Sequence, residues 1–336
     1  MSEAKANNCI TDVAGLSVGS FSDPRAASGV TVVLCPEGAT AGVDVRGAAP
    51  GTWETDLLDP VNLVEQVQAV VLSGGSVYGH GCSGGVVAWL AERGHGFALD
   101  DQGHVAPIVP GAVLYDLGRG DSFVPPIGPE WGQRACAAAS GGPVELGCVG
   151  AGTGAVAGGI KGGLGSASEG LDSGFTVGAL VAVNSLGSVL DPASGLFWEL
   201  RLARPDELDP AARRPRVPPP WPPPAQPARN TTIAVVATDA ELNKAQCRKV
   251  AQMAHDGLAR SVRPAHTMFD GDTIFCLATG RRQLSAQPGF FGPPAAQALS
   301  EIGRAAADCL SRAIMRGVAA AHSLAGFPAL ADLQTR

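Results

Sequence analysis

A threonine that directly follows a proline-rich segment is the residue of this sequence with the clearest potential for chemistry. Repeated proline in residues 201–230, RLARPDELDPAARRPRVPPPWPPPAQPARN, disfavours helix interiors and central strands and favours extended backbone. The segment stops at Thr231, where TTIAVVAT begins a strongly β-branched strand pattern. A cut between Asn230 and Thr231 would free an α-amine with an unperturbed pKa of about 7.7–8.0, which can take the proton of the threonine's own hydroxyl. The junction therefore indicates an N-terminal nucleophile, whereas Asn-Thr-Thr in an uncut chain would be only a turn.

A second group of polar residues lies in HTMFDGD, which begins at His266 and holds an imidazole and two carboxylates. Asp270 and Asp272 are two apart, so on a strand their side chains would point to the same face. Neighbouring carboxylates that are buried together need a role, either in acid–base chemistry or in holding a hard cation. Solvation in a loop is the alternative for these residues.

Two glycine-rich motifs imitate known site patterns. GTGAVA at residues 152–157 fits the G-x-G-x-x-A of dinucleotide-binding folds, but the following GGIKGGLGSAS is too rich in glycine for the helix that such a site requires. LSGGSVYG around Ser76 nearly matches the G-x-S-x-G nucleophile elbow, but Tyr78 occupies the place of the second glycine. Both motifs therefore indicate structural glycine turns.

The elements that must position these residues alternate between strands and helices. The first 200 residues contain short Val- and Thr-rich segments separated by glycine, and a pattern of helical length follows Ser76. After the proline-rich segment the patterns predict a strand, a helix capped by Asp239, a strand and a last helix. The predicted strands are residues 29–35, 42–46, 69–73, 175–184, 231–238 and 273–279, and the predicted helices are residues 76–93, 241–262 and 300–325.

The composition excludes several classes of protein. Of the 336 residues, 45% are apolar and 16% are charged, which predicts a folded chain with a large core. The 24 basic and 31 acidic residues give a net charge of −7 without a basic block, so we expect no nucleic-acid partner. The eight cysteines form no C-x-x-C pair, and no signal peptide or apolar run of membrane-spanning length is evident. We therefore expect a cytoplasmic protein with free thiols and no membrane partner.

Over nearly its whole length the chain resembles the self-processing hydrolase family of L-aminopeptidase/D-amidase-esterases, β-peptidyl aminopeptidases and nylon oligomer hydrolases. Several long motifs in the same order carry the resemblance. They are ITDVAGLSVGSFSD from Ile10, GVTVVLCPEGATAGVDVRGAAPGTWETDLL from Gly29, VLSGGSVYG from Val71, VGAGTGAVAGGIKGGLGSAS from Val149, GALVAVNSLG from Gly178, NTTIAVVATDA from Asn230 and RPAHTMFDGDTIF from Arg263.

The resemblance implies an α+β fold, a four-layer αββα sandwich like that of N-terminal nucleophile hydrolases but with different strand connectivity. It implies one catalytic domain, residues 1–336, which cuts itself into an α chain, residues 1–230, and a β chain, residues 231–336. Residues 201–230 would be a proline-rich linker. The two pieces would remain together, and the αβ units would assemble as a tetramer.

The resemblance also assigns roles to residues. Thr231 takes the place of the family's nucleophile, Asn184 that of the oxyanion-stabilising asparagine, and Lys161 that of the lysine in the K-G-G-x-G loop. Lys161 would lower the pKa of the threonine hydroxyl or hold the oxyanion side of the site. Asp270 and Asp272 would orient and charge-balance the freed amine. No metal or organic cofactor is implied.

The choice of substrate stays open among peptides, D-amino acid amides, β-peptides and ω-amino acid oligomers. Small residues at positions 157–160 and the Asp-x-Asp pair favour the nylon oligomer hydrolase type over the aminopeptidases. Tyr78, Trp53 and Trp131 are candidates for the substrate cleft, with core packing as the alternative. Two other functions remain: an acyl transferase of the ornithine acetyltransferase type, and a glycine-rich binding protein without enzymatic activity.

Overall fold

A computed structural model describes residues 6–220, 230–284 and 295–335. Residues 221–229 of the predicted linker lie outside the described residues. The strands are β1 (Ser17–Asp23), β2 (Ser28–Val45), β3 (Thr52–Trp53), β4 (Gln66–Ser73), β5 (Phe97–Ala98), β6 (Val105–Ala106), β7 (Gly111–Val113), β8 (Val156–Ala157), β9 (Ile160–Lys161), β10 (Gly163–Gly170), β11 (Thr176–Val183), β12 (Ile233–Ala240) and β13 (Thr273–Arg282). The helices are α1 (Gly81–Ala91), α2 (Pro129–Ala137), α3 (Lys244–Ser261) and α4 (Ala295–Ala319).

Nine strands form one hydrogen-bonded sheet in the order β10-β11-β12-β13-β2-β4-β7-β3, with β1 also paired to β2. The pairs β12–β13 and β4–β7 are parallel and the others are antiparallel. β2 joins the two predicted strands at residues 29–35 and 42–46 into one long strand. The register of β2 against β4 shifts between Leu34 and Ala39, where Pro36 interrupts the pattern, and such a bulge bends a strand.

The bent sheet folds over so that its two halves face each other. Alternate side chains of β12 point to opposite faces, as the two-residue period of a strand requires. Val235 and Phe275 lie in one buried apolar cluster with Val33 and Leu72 of the other half of the sheet, and this cluster forms the layer between the halves. This layer explains why the neighbouring strands read as unbroken apolar runs.

Helices cover the outer faces of both halves. Val236 of β12 packs in one cluster with residues of α3 and α4, and Val32 of β2 packs in another cluster with residues of α1 and α2. The order of layers is therefore helices, sheet, sheet and helices, which confirms the expected four-layer αββα sandwich of the α+β class. Within the described part of the chain, no helix is both long and apolar enough to cross a membrane.

The helix boundaries differ from the predicted ones for local reasons. α3 is capped by Asn243 and not by Asp239: the Asn243 side chain accepts a hydrogen bond from Gln246 N, and Gln246 Oε1 accepts one from Asn243 N. Asp239 instead belongs to β12, where its carboxylate pairs with Arg282 at 3.0 Å. The predicted helix at residues 76–93 begins as a 3-10 turn, Ser76–His80, and becomes α1 only at Gly81.

Candidate active site

The candidate site is a cleft of about 830 Å³ at the amino end of β12. Thr231, two residues before the strand begins, lies in the wall of this cleft and is only 5% exposed. The cleft is lined by several small residues together with a few aromatic and polar side chains. Its lining residues are Ala49, Pro50, Gly51, Thr52, Ser76, Val77, His80, Val113, Tyr115, Asn230, Thr231 and Phe269.

The peptide bond between Asn230 and Thr231 is held by hydrogen bonds on both sides. Thr231 N donates to the carbonyl oxygen of Asn184 at 2.6 Å, and Thr231 Oγ1 donates to the carbonyl oxygen of Asn230 at 2.6 Å. Gly271 N donates to the same Asn230 oxygen at 3.2 Å. A Cβ on Gly271 would lie 2.6 Å from the oxygen of Ala49 and 2.9 Å from Thr231 Oγ1, so only glycine fits there. A hydroxyl therefore rests against a carbonyl that a backbone N–H group polarises.

The two aspartates flank this segment and are both 1% exposed. Asp272 Oδ1 accepts a hydrogen bond from Thr232 N at 2.9 Å, and Oδ2 accepts one from His266 N at 3.0 Å. Asp270 accepts hydrogen bonds from Leu186 N and Thr267 N. Burial raises the pKa of the Asp270 carboxyl, and the charge of Asp272 raises it further. Asp272 thus fixes the residue that follows Thr231, whereas Asp270 fixes Leu186 and the loop that carries Thr267.

Asn184 is the first residue after β11 and is fully buried. Its Oδ1 accepts hydrogen bonds from Arg119 Nη1 at 2.7 Å and from Val156 N at 3.0 Å. Its Nδ2 donates to the carbonyl oxygen of Tyr115, a cleft residue, at 3.2 Å. Asn184 therefore approaches Thr231 with its backbone carbonyl and the cleft wall with its side-chain amide.

Lys161 lies behind Asn184, in β9, and its side chain is fully buried. Val156 of β8 pairs with Lys161, and its backbone N–H donates to the Asn184 side chain, so Val156 links Lys161 to Asn184. The hydrogen bonds of Lys161 Nζ within the described residues go to the carbonyl oxygens of Thr153 and Ala155, at 2.8 and 2.7 Å. Burial lowers the pKa of the ammonium to about 8. Lys161 is thus a buried cation that is connected to Asn184 through Val156.

The aromatic candidates lie in three different environments. Trp131 is buried in α2, with its ring 5.1 Å from that of Phe21, and it is not among the residues that line the cleft. The inward face of α2 carries it into the core, which corrects the expectation for Trp131. Tyr78 is half exposed beside the lining residue Val77 but is not itself a lining residue. Trp53 lies at the edge of the cleft, with its ring 5.9 Å from that of His80.

Sequence reasoning did not single out two residues that contact the site, Gly271 and Arg119. Gly271 lies within HTMFDGD, but its contact depends on backbone position and not on a side chain. Arg119 lies in no motif, and its partner is 65 positions away. His266 lies in the motif that holds the aspartates, and its Nδ1 lies 2.8 Å from Asp272 Oδ2. The imidazole that the sequence placed beside the two carboxylates is thus in contact with one of them.

A buried histidine next to His266 predicts an acid-sensitive fold. Burial lowers the pKa of His255 to about 4, although its Nε2 bonds the carbonyl oxygen of Asp44. The pKa of a histidine in an unfolded chain is about 6.5, so below that pH the unfolded chain gains a proton that the folded chain does not bind. Stability should therefore fall as the pH is lowered from about 6.5 to about 4.

We expect His255→Gln to weaken this fall, as measured by melting temperature against pH. His322→Gln removes an exposed imidazole and is the control. Melting curves of His255→Gln and the unsubstituted protein that run parallel through the whole pH range would contradict the prediction.

Comparisons with known proteins place the chain in a family. The model of peptidase family S58 matches residues 8–330. An uncharacterized aminopeptidase of Mycobacterium leprae is 49% identical over 96% of this chain and 92% of its own. A 6-aminohexanoate-oligomer endohydrolase of a Kocuria species is 29% identical over 83% of this chain and 77% of its own.

Solved structures support the same assignment. A β-aminopeptidase of a Burkholderia species superposes with a TM-score of 0.70 at 27% identity, covering 98% of this chain and 92% of its own. The L-aminopeptidase D-Ala-esterase/amidase of Ochrobactrum anthropi, described as a variant of the Ntn hydrolase fold, has a TM-score of 0.69 at 23% identity, covering 96% and 88%, and shows the fold alone. The fold, the cleft and the match along nearly the whole chain lead to one conclusion: this chain belongs to peptidase family S58 and is an amide- or peptide-bond hydrolase.

Proposed function

We propose that the chain cuts itself between Asn230 and Thr231 and then acts as an N-terminal threonine amidohydrolase on short oligomers or peptides. The observation that carries the proposal is the contact of Thr231 Oγ1 with the carbonyl oxygen of Asn230, at 2.6 Å, in the wall of a cleft. A nucleophile and its first target are thus already adjacent in the continuous chain.

Self-cleavage would be an N-to-O acyl shift followed by hydrolysis. The Thr231 hydroxyl oxygen bonds to the carbonyl carbon of Asn230, the C–N bond breaks, and the hydroxyl proton ends on the new amine. Water then cleaves the ester, which leaves a carboxylate on Asn230 and restores the hydroxyl. Gly271 N, which donates to the Asn230 carbonyl oxygen, would stabilise the negative charge that develops there.

Turnover would use the same hydroxyl with the freed amine as its base. The amine takes the hydroxyl proton as Thr231 attacks a substrate amide, and it passes that proton to the leaving amine. Water then hydrolyses the threonine ester. The carbonyl oxygen of Asn184, which accepts a hydrogen bond from Thr231 N in the uncut chain, would hold the amine in place. The Nδ2 group of Asn184 would stabilise the substrate oxyanion.

The charged residues would support this chemistry by fixing the main chain and by setting the electrostatic potential of the site. Asp272 would fix the main chain next to the nucleophile through Thr232 N, and Asp270 would fix the loop that carries Leu186. Both carboxylates would offset the positive charge of an amine that binds a proton during turnover. Lys161 would raise the positive potential around Asn184 and so favour the oxyanion.

The substrate would be a small amide of the nylon-oligomer or aminopeptidase and D-amidase type. The names of the relatives, a 6-aminohexanoate-oligomer endohydrolase and a β-aminopeptidase, support this class. The proposal includes a cytoplasmic tetramer of αβ units, as the family resemblance implies. Light scattering of the purified protein measures that assembly.

Intact mass spectrometry during incubation of the purified chain tests the proposal. We expect the full-length mass to be replaced by two masses, one for a polypeptide ending at Asn230 and one for a polypeptide beginning at Thr231. Hydrolysis of a panel of amides should rise in step with the cut. A hydrolytically active chain that stays whole, or that is cut elsewhere, would contradict the proposal. Acyl transfer to an added amine faster than hydrolysis would favour the acyl transferase.

A further inference from the structure

We propose that Arg119 is a positioning residue, which fixes the orientation of the Asn184 side-chain amide and polarises it toward the oxyanion. The inference rests on the proposed function, because it concerns the donor that would stabilise the reacting carbonyl. Arg119 lies in a loop between β7 and α2, far from Asn184 in sequence, and it is partly buried.

The hydrogen bonds of Asn184 permit only one orientation of its amide. Oδ1 accepts from two donors, Arg119 Nη1 at 2.7 Å and Val156 N at 3.0 Å, which uses both of its lone pairs. A flipped amide would place its NH₂ group against those two donors. Nδ2 is therefore kept on the side of Tyr115, whose carbonyl oxygen accepts from it at 3.2 Å and which lines the cleft with Thr231.

The charge of Arg119 also strengthens Nδ2 as a donor. A hydrogen bond from a guanidinium to an amide oxygen draws electrons from the nitrogen, and chained hydrogen bonds polarise one another in a low dielectric. Burial lowers the pKa of Arg119 to about 10, and the buried carboxylate of Asp116 opposes this effect. Arg119 is thus still protonated near neutral pH, and its charge persists over the working range of a threonine amine.

A second contact of Arg119 raises an alternative role. Nη1 also donates to the carbonyl oxygen of Gly154 at 2.6 Å, so the guanidinium ties the loop before β8 to Asn184. A residue that only anchors this loop would affect stability whatever residue occupies position 184. A residue that acts through the amide would affect the rate only when that amide is present. The two roles therefore differ in their dependence on Asn184.

A double-mutant cycle separates the two roles. The variants are Arg119→Met, Asn184→Ala and the combination, each assayed as self-cleaved protein for kcat, KM and melting temperature. Arg216→Met is the matched control, because Arg216 is a buried arginine that bonds the backbone carbonyls of Leu333 and Ala211. We expect Arg119→Met to lower kcat about tenfold or more with little change in KM, and the combination to be no slower than Asn184→Ala alone. Arg216→Met should lower the melting temperature without changing kcat.

Arg119→Lys keeps the cation but not the planar guanidinium, and it covers the case in which Arg119→Met does not fold. Its kcat is expected to be below that of the unsubstituted protein. Equal multiplicative losses from Arg119→Met in the presence and absence of Asn184 would overturn the inference, as would an unchanged kcat in Arg119→Met or Arg119→Lys. Thr231→Ala is measured in parallel. If Thr231→Ala stays active, the proposed function fails; if it is inactive while Arg119→Met is fully active, only this inference fails.

Discussion

Replacing Thr231 with alanine is expected to leave a single uncut polypeptide with no measurable amidase activity. The substitution leaves the backbone hydrogen bond of residue 231 with Asn184 in place, so the fold should persist. The hydroxyl that contacts the Asn230 carbonyl is lost, and with it the proposed nucleophile of both reactions. Loss of a nucleophile that acts as a unit with its base lowers kcat by about 10³-fold or more. Intact mass and a rate assay on the same sample measure the two effects.

The next residue provides the control for this experiment. Thr232 is a fully buried threonine whose Oγ1 is buried without a hydrogen-bond partner in the described part of the chain. Thr232→Val keeps the shape of the side chain and should leave self-cleavage and hydrolysis intact. Thr231→Ser keeps a hydroxyl and should retain both reactions at altered rates. A Thr231→Ala protein that still hydrolyses amides would remove Thr231 from the mechanism.

Replacing Asn184 with alanine should lower hydrolysis far more than self-cleavage. The Asn230 carbonyl receives its backbone donor from Gly271 N, and Thr231 N bonds the backbone of residue 184, so neither contact needs the Asn184 side chain. A substrate oxyanion near Tyr115 would lose the Nδ2 donor. Removal of one such donor typically lowers kcat by about 10²–10³-fold. Complete cutting by mass spectrometry, together with a strongly reduced kcat, is the expected pair of results.

Stability must be separated from catalysis in this variant. Asn184→Ala leaves the Arg119 and Val156 donors without their acceptor, and each orphaned donor costs about 1–3 kcal/mol. Asn243→Ala is the matched control, because loss of the α3 cap costs about 1 kcal/mol at a site away from the cleft. Asn184→Ala with the kcat of Asn243→Ala, or with its self-cleavage slowed as much as its hydrolysis, would contradict the assignment of two separate donors.

Local patterns predicted the strand and helix order, because burial on a sheet and on a helix leaves different periods in the sequence. The β-branched run after Asn230 is β12, as predicted. β10 was not predicted, because its glycines leave no alternation of apolar and polar residues in the sequence. Gly163 and Gly165 are needed where the backbone of α4 approaches the strand. Close approach between elements is a tertiary property that periodicity does not encode.

The site shows the same division between local and distant information. Asp270 and Asp272 are both buried and not solvated in a loop, but they bind different segments, because they lie in the turn before β13 and not within a strand. Their partners, Leu186 and Thr232, become neighbours only through the pairing of strands. Arg119 and Asn184 are 65 positions apart in the sequence, and no local motif relates them, so only the folded chain reveals their contact.

The position of β12 and β13 in the sheet has a consequence for the two products of a cut. After the proposed cut both strands would belong to the shorter piece, whereas β12 pairs with β11 and β13 pairs with β2, which would belong to the longer piece. The shorter piece is thus inserted between neighbours on either side, in the middle of the sheet. Neither polypeptide could then leave without opening the centre of the molecule, so breaking one covalent bond would change the chemistry at residue 231 while the fold stays intact.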